Sequence, residues 1–198
     1  MAAVVLAAGR ASRFGGAKLL APFRGRPLAA HAFDLLGRAR AAGLVFDTLA
    51  VVAAGDDGVA RLAREAGTRT VTNPTPDRGL GSSLGCGLAA LGPETDAAVI
   101  LLADQPLVRL DVVATLVAGW RAGLGMVLRP RYAEAAGEPG HPVLLDRSVW
   151  PLAGRDADTG PGGYFPPGSA GVAVIDVAGR NPDVDTPDDL TTLEGSST

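Results

Sequence analysis

The sequence contains few of the residues that carry covalent and metal chemistry in many proteins. Its 198 residues include one cysteine, Cys86, two histidines and one lysine, Lys18. A single cysteine excludes an intrachain disulfide and gives no support for a cysteine metal cluster, so a reducing compartment fits the composition. The two histidines, His31 and His141, leave few candidates for a general base.

The chain also lacks long apolar runs and long basic runs. No apolar stretch approaches the roughly 20 residues that are needed to span a bilayer. The first apolar run has no basic leader of the kind that starts a signal peptide. The formal net charge of -3 argues against a broad nucleic-acid footprint. We therefore expect a cytoplasmic protein that binds neither nucleic acid nor membranes.

Apolar runs of strand length alternate with apolar residues at helical spacing. Several runs are continuous, as in strands that are buried on both faces of a mainly parallel sheet. The alternation predicts a three-layer α/β/α fold, with one domain over residues 1–193 and a disordered tail over residues 194–198. A Gly- and Pro-rich stretch over residues 153–171 predicts a mobile surface loop. The predicted strands are Ala3–Ala8, Thr48–Ala53, Thr68–Thr72, Ala97–Ala103, Gly125–Leu128, His141–Leu145 and Val172–Val177.

The first apolar run leads into a glycine-rich loop with two arginines, a serine and the lysine. Such a loop presents backbone N–H groups and cations to a polyphosphate. It is not a Walker P-loop, because Ala17 separates Lys18 from the preceding glycine and Leu19 stands where Ser or Thr would hold magnesium. The remaining interpretation is a cradle of backbone amides with Arg13 and Lys18 as charge partners. The alternative is a glycine-rich turn whose cations are solvated.

The string from Leu6 to Lys18 resembles the Leu-Ala-Ala-Gly-x-Ser-x-Arg-x-Gly-x-x-Lys signature of nucleotidyltransferases, particularly the molybdenum-cofactor cytidylyltransferases. The resemblance implies a Rossmann-like nucleotide-diphospho-sugar transferase fold of the GT-A type, with a mainly parallel mixed sheet. It implies that Lys18 and Arg13 are catalytic and hold phosphates. It implies nucleotide contacts by Ala7, Ala8, Gly9, Arg10, Ser12, Arg13 and Lys18.

A second glycine-rich segment covers residues 73–84 and ends in Ser82 or Ser83 as a helix cap. The family has a similar segment that helps to hold the nucleobase and ribose, which implies nucleotide contacts by Gly81, Ser82 and Ser83. The glycines at 81, 85 and 87 also match a dehydrogenase spacing. That alternative lacks its Tyr-x-x-x-Lys pair, because Lys18 is the only lysine.

Two aspartates are the candidate metal ligands. Asp104 directly follows a predicted buried strand, where α/β proteins bind ligands and where a hard oxygen suits magnesium. The alternative is that Asp104 is a turn residue or helix cap before Pro106. The Asp-Gln-Pro triplet resembles the metal motif of the same family. Asp185 lies in a segment similar to the family's Asp-x-Asp-Thr-Pro-x-Asp motif, which implies that Asp104 and Asp185 hold Mg²⁺. The resemblance also implies that Asp104 is catalytic and contacts the nucleotide.

The family resemblance implies that His141 and Asp158 contact the acceptor, the substrate that receives the nucleotide. His141 opens a predicted strand, and the family has a similar Gly-x-Pro-Val segment that faces the acceptor. Asp158 matches a further family loop, but the arginine of that loop is absent here. Taken alone, His141 fits a structural role better than a functional one, and the resemblance implies a contact to the acceptor and not a general base.

The resemblance implies transfer of CMP from CTP to a molybdopterin-type phosphate acceptor, with release of pyrophosphate. A phosphate acceptor is already anionic, so no general base is required and catalysis consists of alignment and charge neutralisation. It also implies a molybdoenzyme or its maturation factor as a partner. The alternatives are guanylyl transfer, transfer to another small phosphate such as phospholactate or a sugar phosphate, or a non-catalytic cofactor carrier.

Overall fold

The computed structural model describes residues 1–9, 14–134, 139–153 and 161–195. Its strands are β1 (Ala2–Ala7), β2 (Pro22–Phe23), β3 (Arg26–Pro27), β4 (Asp47–Ala53), β5 (Arg69–Asn73), β6 (Ala97–Leu102), β7 (Val127–Tyr132), β8 (Val143–Asp146) and β9 (Val172–Val177). Its helices are α1 (Leu28–Ala41), α2 (Asp57–Glu65), α3 (Leu80–Ala89), α4 (Leu110–Arg121), α5 (Pro161–Tyr164) and α6 (Pro187–Gly195). None of these helices is long and apolar enough to cross a membrane.

A seven-stranded sheet forms the middle layer, in the order β5-β4-β1-β6-β8-β7-β9. All neighbouring strands run parallel except β8, which is antiparallel to both β6 and β7. The predicted α/β fold with a mainly parallel mixed sheet is therefore confirmed. The central strands β1 and β6 end side by side, so the loops that follow them meet at one edge of the sheet.

The continuous apolar run of β1 has a structural reason. Val5 packs into the core on the face that α1, α2 and α4 cover, whereas Val4 and Leu6 pack on the opposite face against α3. Successive side chains of a strand point to opposite faces, so a strand covered on both sides is apolar at every position.

Gly87 of α3 lies close to this sheet. A Cβ atom there would come within 2.9 Å of Val4 Cγ1 and 3.0 Å of Val51 Cγ2. The glycine that weakens α3 as a helix thus lets it approach the strands.

The structure differs from the sequence predictions in three places. β7 continues to Tyr132, beyond the predicted Leu128, because the buried guanidinium of Arg129 donates to the carbonyls of Pro139 and Phe165. β8 begins at Val143 instead of His141, since Pro142 has no N–H to donate to a ladder. The stretch predicted as a loop contains α5, and Phe165 is buried in the core.

A small third cluster of buried side chains was not predicted. The hairpin of β2 and β3 packs on α6 through Phe23, Leu28, Val184, Leu190 and Leu193. Glu194 was predicted to begin a disordered tail. It lies instead in α6, where its carboxylate accepts a hydrogen bond of 2.7 Å from the backbone N–H of Arg24. The hairpin and the end of the chain therefore stabilise each other beside the segment that carries Asp185.

Candidate functional site

Lys18 lies in a short 3-10 turn that follows the first loop, and it is 8% exposed. Its Nζ atom donates to Asp104 Oδ2 at 2.7 Å and to the Val184 carbonyl at 2.7 Å. The same nitrogen lies 3.5 Å from Asp185 Oδ1. A buried ammonium group needs such partners, since leaving it unpaired would cost several kcal/mol, by an order-of-magnitude estimate. The structure therefore brings Lys18, the predicted phosphate contact, against both predicted metal ligands, Asp104 and Asp185.

Different elements carry the two aspartates. Asp104 follows the carboxyl end of β6, and its backbone carbonyl accepts from the N–H of Val184 at 3.2 Å. Asp185 precedes α6, whose start is a reciprocal cap. The Asp189 carboxylate accepts from the N–H groups of Asp185 and Thr186, and Thr186 Oγ1 accepts from the N–H of Asp189. The cap fixes the backbone of Asp185 and leaves its side chain facing Lys18.

An open cleft of about 520 Å³ lies above these groups, a volume typical of small-ligand sites. It is lined by Leu6, Ala7, Ala8, Gly9, Lys18, Leu19, Pro76, Asp77, Gly79, Leu80, Ser83, Leu102, Asp104, Asp183 and Asp185. The cleft therefore lies at the carboxyl ends of β1 and β6, which is where open α/β sheets bind ligands.

The segment between β5 and α3 forms one wall of the cleft. Asn73 is fully buried and its amide donates to Ser82 Oγ at 2.9 Å and Ser83 Oγ at 3.0 Å. Ser82 Oγ also contacts the carbonyls of Thr75 and Gly79. Of the three residues predicted here, Ser83 lines the cleft, whereas Gly81 is buried outside the lining and Ser82 holds the loop together.

His141 lies at the same edge of the sheet as Asp104, because β8 runs antiparallel to β6. It is not among the residues that line the cleft. The pKa of His141 is lowered from 6.5 to about 4, mainly by burial and also by the positive charge of Arg129, while Asp104 acts in the opposite direction. Its Nε2 atom is enclosed without a hydrogen-bond partner among the described residues. A neutral imidazole of this kind is a poor general base.

Burial likewise raises the pKa of Tyr132 well above its ordinary value. The phenol stays protonated and donates to the carbonyl of His141 at 2.8 Å. The segment that leads into β8 is thereby fixed from the neighbouring strand.

Four of the predicted site residues lie outside the described parts of the chain. These are Arg10, Ser12, Arg13 and Asp158. Sequence reasoning did not assign Asp183, which lines the cleft beside Asp185, nor the carbonyl of Val184, which accepts from Lys18. A backbone acceptor leaves no signal in the sequence. Asp183 did have a signal in the sequence, because it lies two positions from Asp185, and residues two positions apart share a face of an extended chain.

The carboxylates of Asp104 and Asp185 could hold a hard divalent cation. Both lie against the same ammonium nitrogen, so a positive charge between them is already accommodated. Their side chains are 24% and 41% exposed towards the cleft. Within the described ranges, no group of three or more His, Cys, Asp or Glu residues is gathered for a metal. Two carboxylates completed by ligand oxygens fit magnesium, which keeps few protein ligands.

These features define a Rossmann-like α/β protein with a ligand cleft at the carboxyl edge of its sheet. The sequence profile of the MobA-like NTP transferase domain matches residues 3–163. The chain therefore belongs to the MobA-like NTP transferase family, which confirms the resemblance seen in the first loop.

Relatives agree with this assignment. The chain is 33% identical to a 3-deoxy-manno-octulosonate cytidylyltransferase from Anaeromyxobacter dehalogenans (strain 2CP-1 / ATCC BAA-258) over 138 residues, which are 70% of this chain and 54% of that protein. The chain thus spans about half the length of the curated relatives it matches.

Solved structures match over the whole length. The crystal structure of Rv0371c from Mycobacterium tuberculosis H37Rv is 30% identical, with a TM-score of 0.79 over 100% of this chain and 99% of that chain. The same protein has a crystal structure as a manganese complex, at 29% identity and a TM-score of 0.77. A CMP:2-keto-3-deoxy-manno-octonic acid synthetase complexed with CTP shares the fold, with a TM-score of 0.78 at 18% identity over 98% of this chain and 97% of that chain.

Proposed function

We propose that the protein transfers a nucleoside monophosphate, most favourably CMP from CTP, to a small acceptor and releases pyrophosphate. The observation that carries the proposal is the contact of Lys18 with Asp104 and Asp185 in the cleft. A cation and two carboxylates at the end of a parallel strand suit a triphosphate bound with a divalent metal. The family and the cytidylyltransferase relatives support the same class of reaction.

Charge neutralisation is the main task of such a site. Lys18 would stabilise the negative charge that develops on the α-phosphate, with Arg13 and the amides near Gly9 holding the outer phosphates. Magnesium on Asp104 and Asp185 would withdraw charge from the phosphate oxygens. The fixed backbone of Asp185 and the buried Lys18 stem keep these groups in place without reorganisation during the reaction.

We propose a phosphate acceptor of the molybdopterin type, with His141 and Asp158 beside it. An acceptor phosphate needs no deprotonation near neutral pH, which agrees with the low pKa of His141. A sugar acid is the second candidate acceptor, because the relatives from Anaeromyxobacter are cytidylyltransferases for 3-deoxy-manno-octulosonate. Its hydroxyl would need a base, and His141 with a pKa of about 4 is a weak one.

The test is a pyrophosphate-release assay that crosses CTP, GTP, ATP and UTP with molybdopterin, phospholactate, sugar phosphates and 3-deoxy-manno-octulosonate, in Mg²⁺. We expect release with CTP and a phosphate acceptor, and a cytidylylated product by mass spectrometry. If CTP binds but no combination of nucleotide and acceptor releases pyrophosphate, the protein is a cofactor carrier and not a nucleotidyltransferase. Release with the sugar acid alone would overturn the proposed acceptor.

Base preference has a separate test at Ala8. The Ala7-Ala8-Gly9 string resembles the corresponding string of the cytidylyltransferases, whereas the guanylyltransferase branch tends to have Ala-Gly-Gly, with glycine in place of Ala8. Ala8 lines the cleft and is 3% exposed, so its methyl group occupies space beside the ligand. We expect Ala8→Gly to raise the relative use of GTP by about 10-fold, since one methyl group in a pocket discriminates by roughly that factor. An unchanged CTP to GTP ratio would remove Ala8 from base selection.

A further inference from the structure

The amide of Gln105 is buried directly beside Asp104 and both of its ends are occupied. The side chain is 5% exposed. Its Nε2 atom donates to Asp183 Oδ1 at 2.5 Å, and its Oε1 atom accepts from Asn181 Nδ2 at 2.8 Å. Both partners are more than 70 positions away in the sequence. A buried amide with both ends satisfied is a specific cross-link, because its loss would leave polar groups without partners.

The backbone around Val184 completes the connection. Val184 donates to the carbonyl of Asp104 at 3.2 Å and accepts from Lys18 at 2.7 Å. Its side chain is fully buried in the third cluster, whereas Asp183 and Asp185 both line the cleft. This alternation is expected of an extended chain. The two aspartates therefore face the cleft only while the segment over residues 181–185 stays in register with Asp104.

Asn181 carries the connection further. The same Nδ2 atom that donates to Gln105 also donates to the carbonyl of His141 at 3.1 Å, which Tyr132 contacts from β7. One continuous set of hydrogen bonds thus runs from Asp183 through Gln105 and Asn181 to His141, two residues before β8. It joins the carboxylate side of the cleft to the side on which we place the acceptor.

We propose that Gln105 is a positioning residue, which with Asn181 holds Asp183 and Asp185 opposite Asp104 so that the divalent cation and the triphosphate share one site. The inference rests on the proposed function for the identity of that ligand. Gln105 itself touches neither ligand nor reacting atoms and acts through the two aspartates. Its amide suits this task because it donates to a carboxylate and accepts from an amide at the same time, which neither Glu nor Met can do.

Polarity reversal gives the sharpest test. Gln105→Met keeps the volume and loses both hydrogen bonds, and Gln105→Glu turns the donor towards Asp183 into a second carboxylate. In the double variant Gln105→Glu with Asp183→Asn, the new asparagine donates to the new glutamate, so the bond returns with its direction reversed. Asp183→Asn alone keeps an oxygen that accepts from Gln105 but removes the negative charge of residue 183. It therefore separates the effect of that charge from the effect of losing the hydrogen bond to Gln105.

The readouts are Mn²⁺ binding in the presence of CTP by electron paramagnetic resonance, and kcat and KM for the nucleotide. Removing a side chain that orients the carboxylates of a metal site costs about 10–100-fold in metal affinity. We expect a loss of that size in Gln105→Met and Gln105→Glu, a KM that rises more than kcat falls, and recovery of the double variant to about the level of Asp183→Asn. Asp176→Asn is the matched control, because Asp176 pairs with Arg131 on the surface and is 73% exposed.

Mn²⁺ affinity in Gln105→Met within about 2-fold of the unaltered protein, or a double variant as weak as Gln105→Glu, would overturn the positioning role. If Gln105→Met does not fold, the comparison of Gln105→Glu with the double variant decides alone. The two proposals fail separately. A protein that binds Mn²⁺ and CTP in a Gln105-dependent way but releases no pyrophosphate supports the positioning role and contradicts the proposed reaction.

Discussion

Lys18 and Asp104 are 86 positions apart in the sequence, and their side chains form a 2.7 Å ion pair in the cleft. The same ammonium group contacts Asp185 and the carbonyl of Val184. One cation therefore joins the loop after β1, the end of β6 and the segment before α6. Because Lys18 is the only lysine of the chain, no other lysine could take over this contact.

The first prediction concerns the charge of this lysine. Lys18→Met keeps most of the buried stem and removes the ammonium group. We expect the rate of pyrophosphate release to fall by about 10²–10³, as is typical when one stabiliser of transition-state charge is lost. The fold should persist, since Asp104 and Asp185 are partly exposed and water can solvate them. Single-turnover kinetics and thermal unfolding together measure both effects.

The matched control for this variant is Arg26→Met. Arg26 forms an ion pair of 2.5 Å with Asp34, and the two side chains are 51% and 47% exposed. Pairs of this kind contribute roughly 0–1 kcal/mol to stability, and this one lies outside the cleft lining. We expect unchanged turnover. A Lys18→Met variant with turnover as high as this control would remove Lys18 from the mechanism.

The second prediction concerns the two carboxylates. We expect Asp104→Asn and Asp185→Asn each to lower the rate by about 10² or more at saturating nucleotide, because an amide oxygen holds a divalent cation less strongly than a carboxylate. Raising the Mg²⁺ concentration should recover part of the loss. Asp188→Asn is the control, since Asp188 is exposed at the start of α6. Equal rates in all three variants would contradict a metal site at this position.

The architecture was predictable from the sequence because each central strand is buried on both faces. In β1 and β6 this leaves no polar residue, and the positions of the longer strands along the chain follow from the apolar runs, whereas their order in the sheet does not. Asp104 was predictable because a charged group directly after an apolar strand marks the carboxyl edge of the sheet. Lys18 was predictable from the glycine-rich loop, and Asp185 from the family resemblance. The family resemblance supplied the pairing of the two aspartates, which spacing alone leaves open.

The remaining features depend on long-range contacts that no local pattern encodes. Arg129 directly follows an apolar run, yet it is buried in β7, where its guanidinium donates to the carbonyls of Pro139 and Phe165. In the sequence Gln105 is visible only as part of the Asp-Gln-Pro triplet, and its contacts are with partners 76 and 78 positions away. The hairpin of β2 and β3 has strands of two residues each, too short for any period to be visible.

The third prediction concerns the pH dependence of stability. Unfolded histidine binds a proton below about pH 6.5, whereas folded His141 does so only below about pH 4. Between these values the unfolded state binds more protons, so the free energy of unfolding falls as the pH falls. The full shift corresponds to about 3 kcal/mol. We expect His141→Asn to lack this component, which urea unfolding at pH 7, 6, 5 and 4.5 measures as a difference from the unaltered protein. If the free energy of unfolding varies with pH in the same way in His141→Asn and the unaltered protein, His141 protonates equally in the folded and unfolded states.

The fourth prediction compares two glycines in the middle of helices. Alanine favours helix over glycine by about 1 kcal/mol, so propensity alone predicts that Gly37→Ala in α1 and Gly87→Ala in α3 both stabilise the protein. A Cβ at Gly37 meets nothing within 4 Å, whereas a Cβ at Gly87 would lie 2.9 Å from Val4 and 3.0 Å from Val51. Both valines are buried and β-branched, so neither can rotate away.

The packing conflict should therefore outweigh the gain in helix propensity at Gly87. Overpacking a filled core costs about 1–3 kcal/mol. We expect Gly37→Ala to raise the free energy of unfolding by about 0.5–1 kcal/mol and Gly87→Ala to lower it, as measured by urea denaturation of both variants. Because α3 carries Ser83 into the cleft, Gly87→Ala should also raise the KM for the nucleotide, while Gly37→Ala leaves it unchanged. Stabilisation by both substitutions would mean that α3 can move away from the sheet at no cost, and that its close approach does not fix this wall of the cleft.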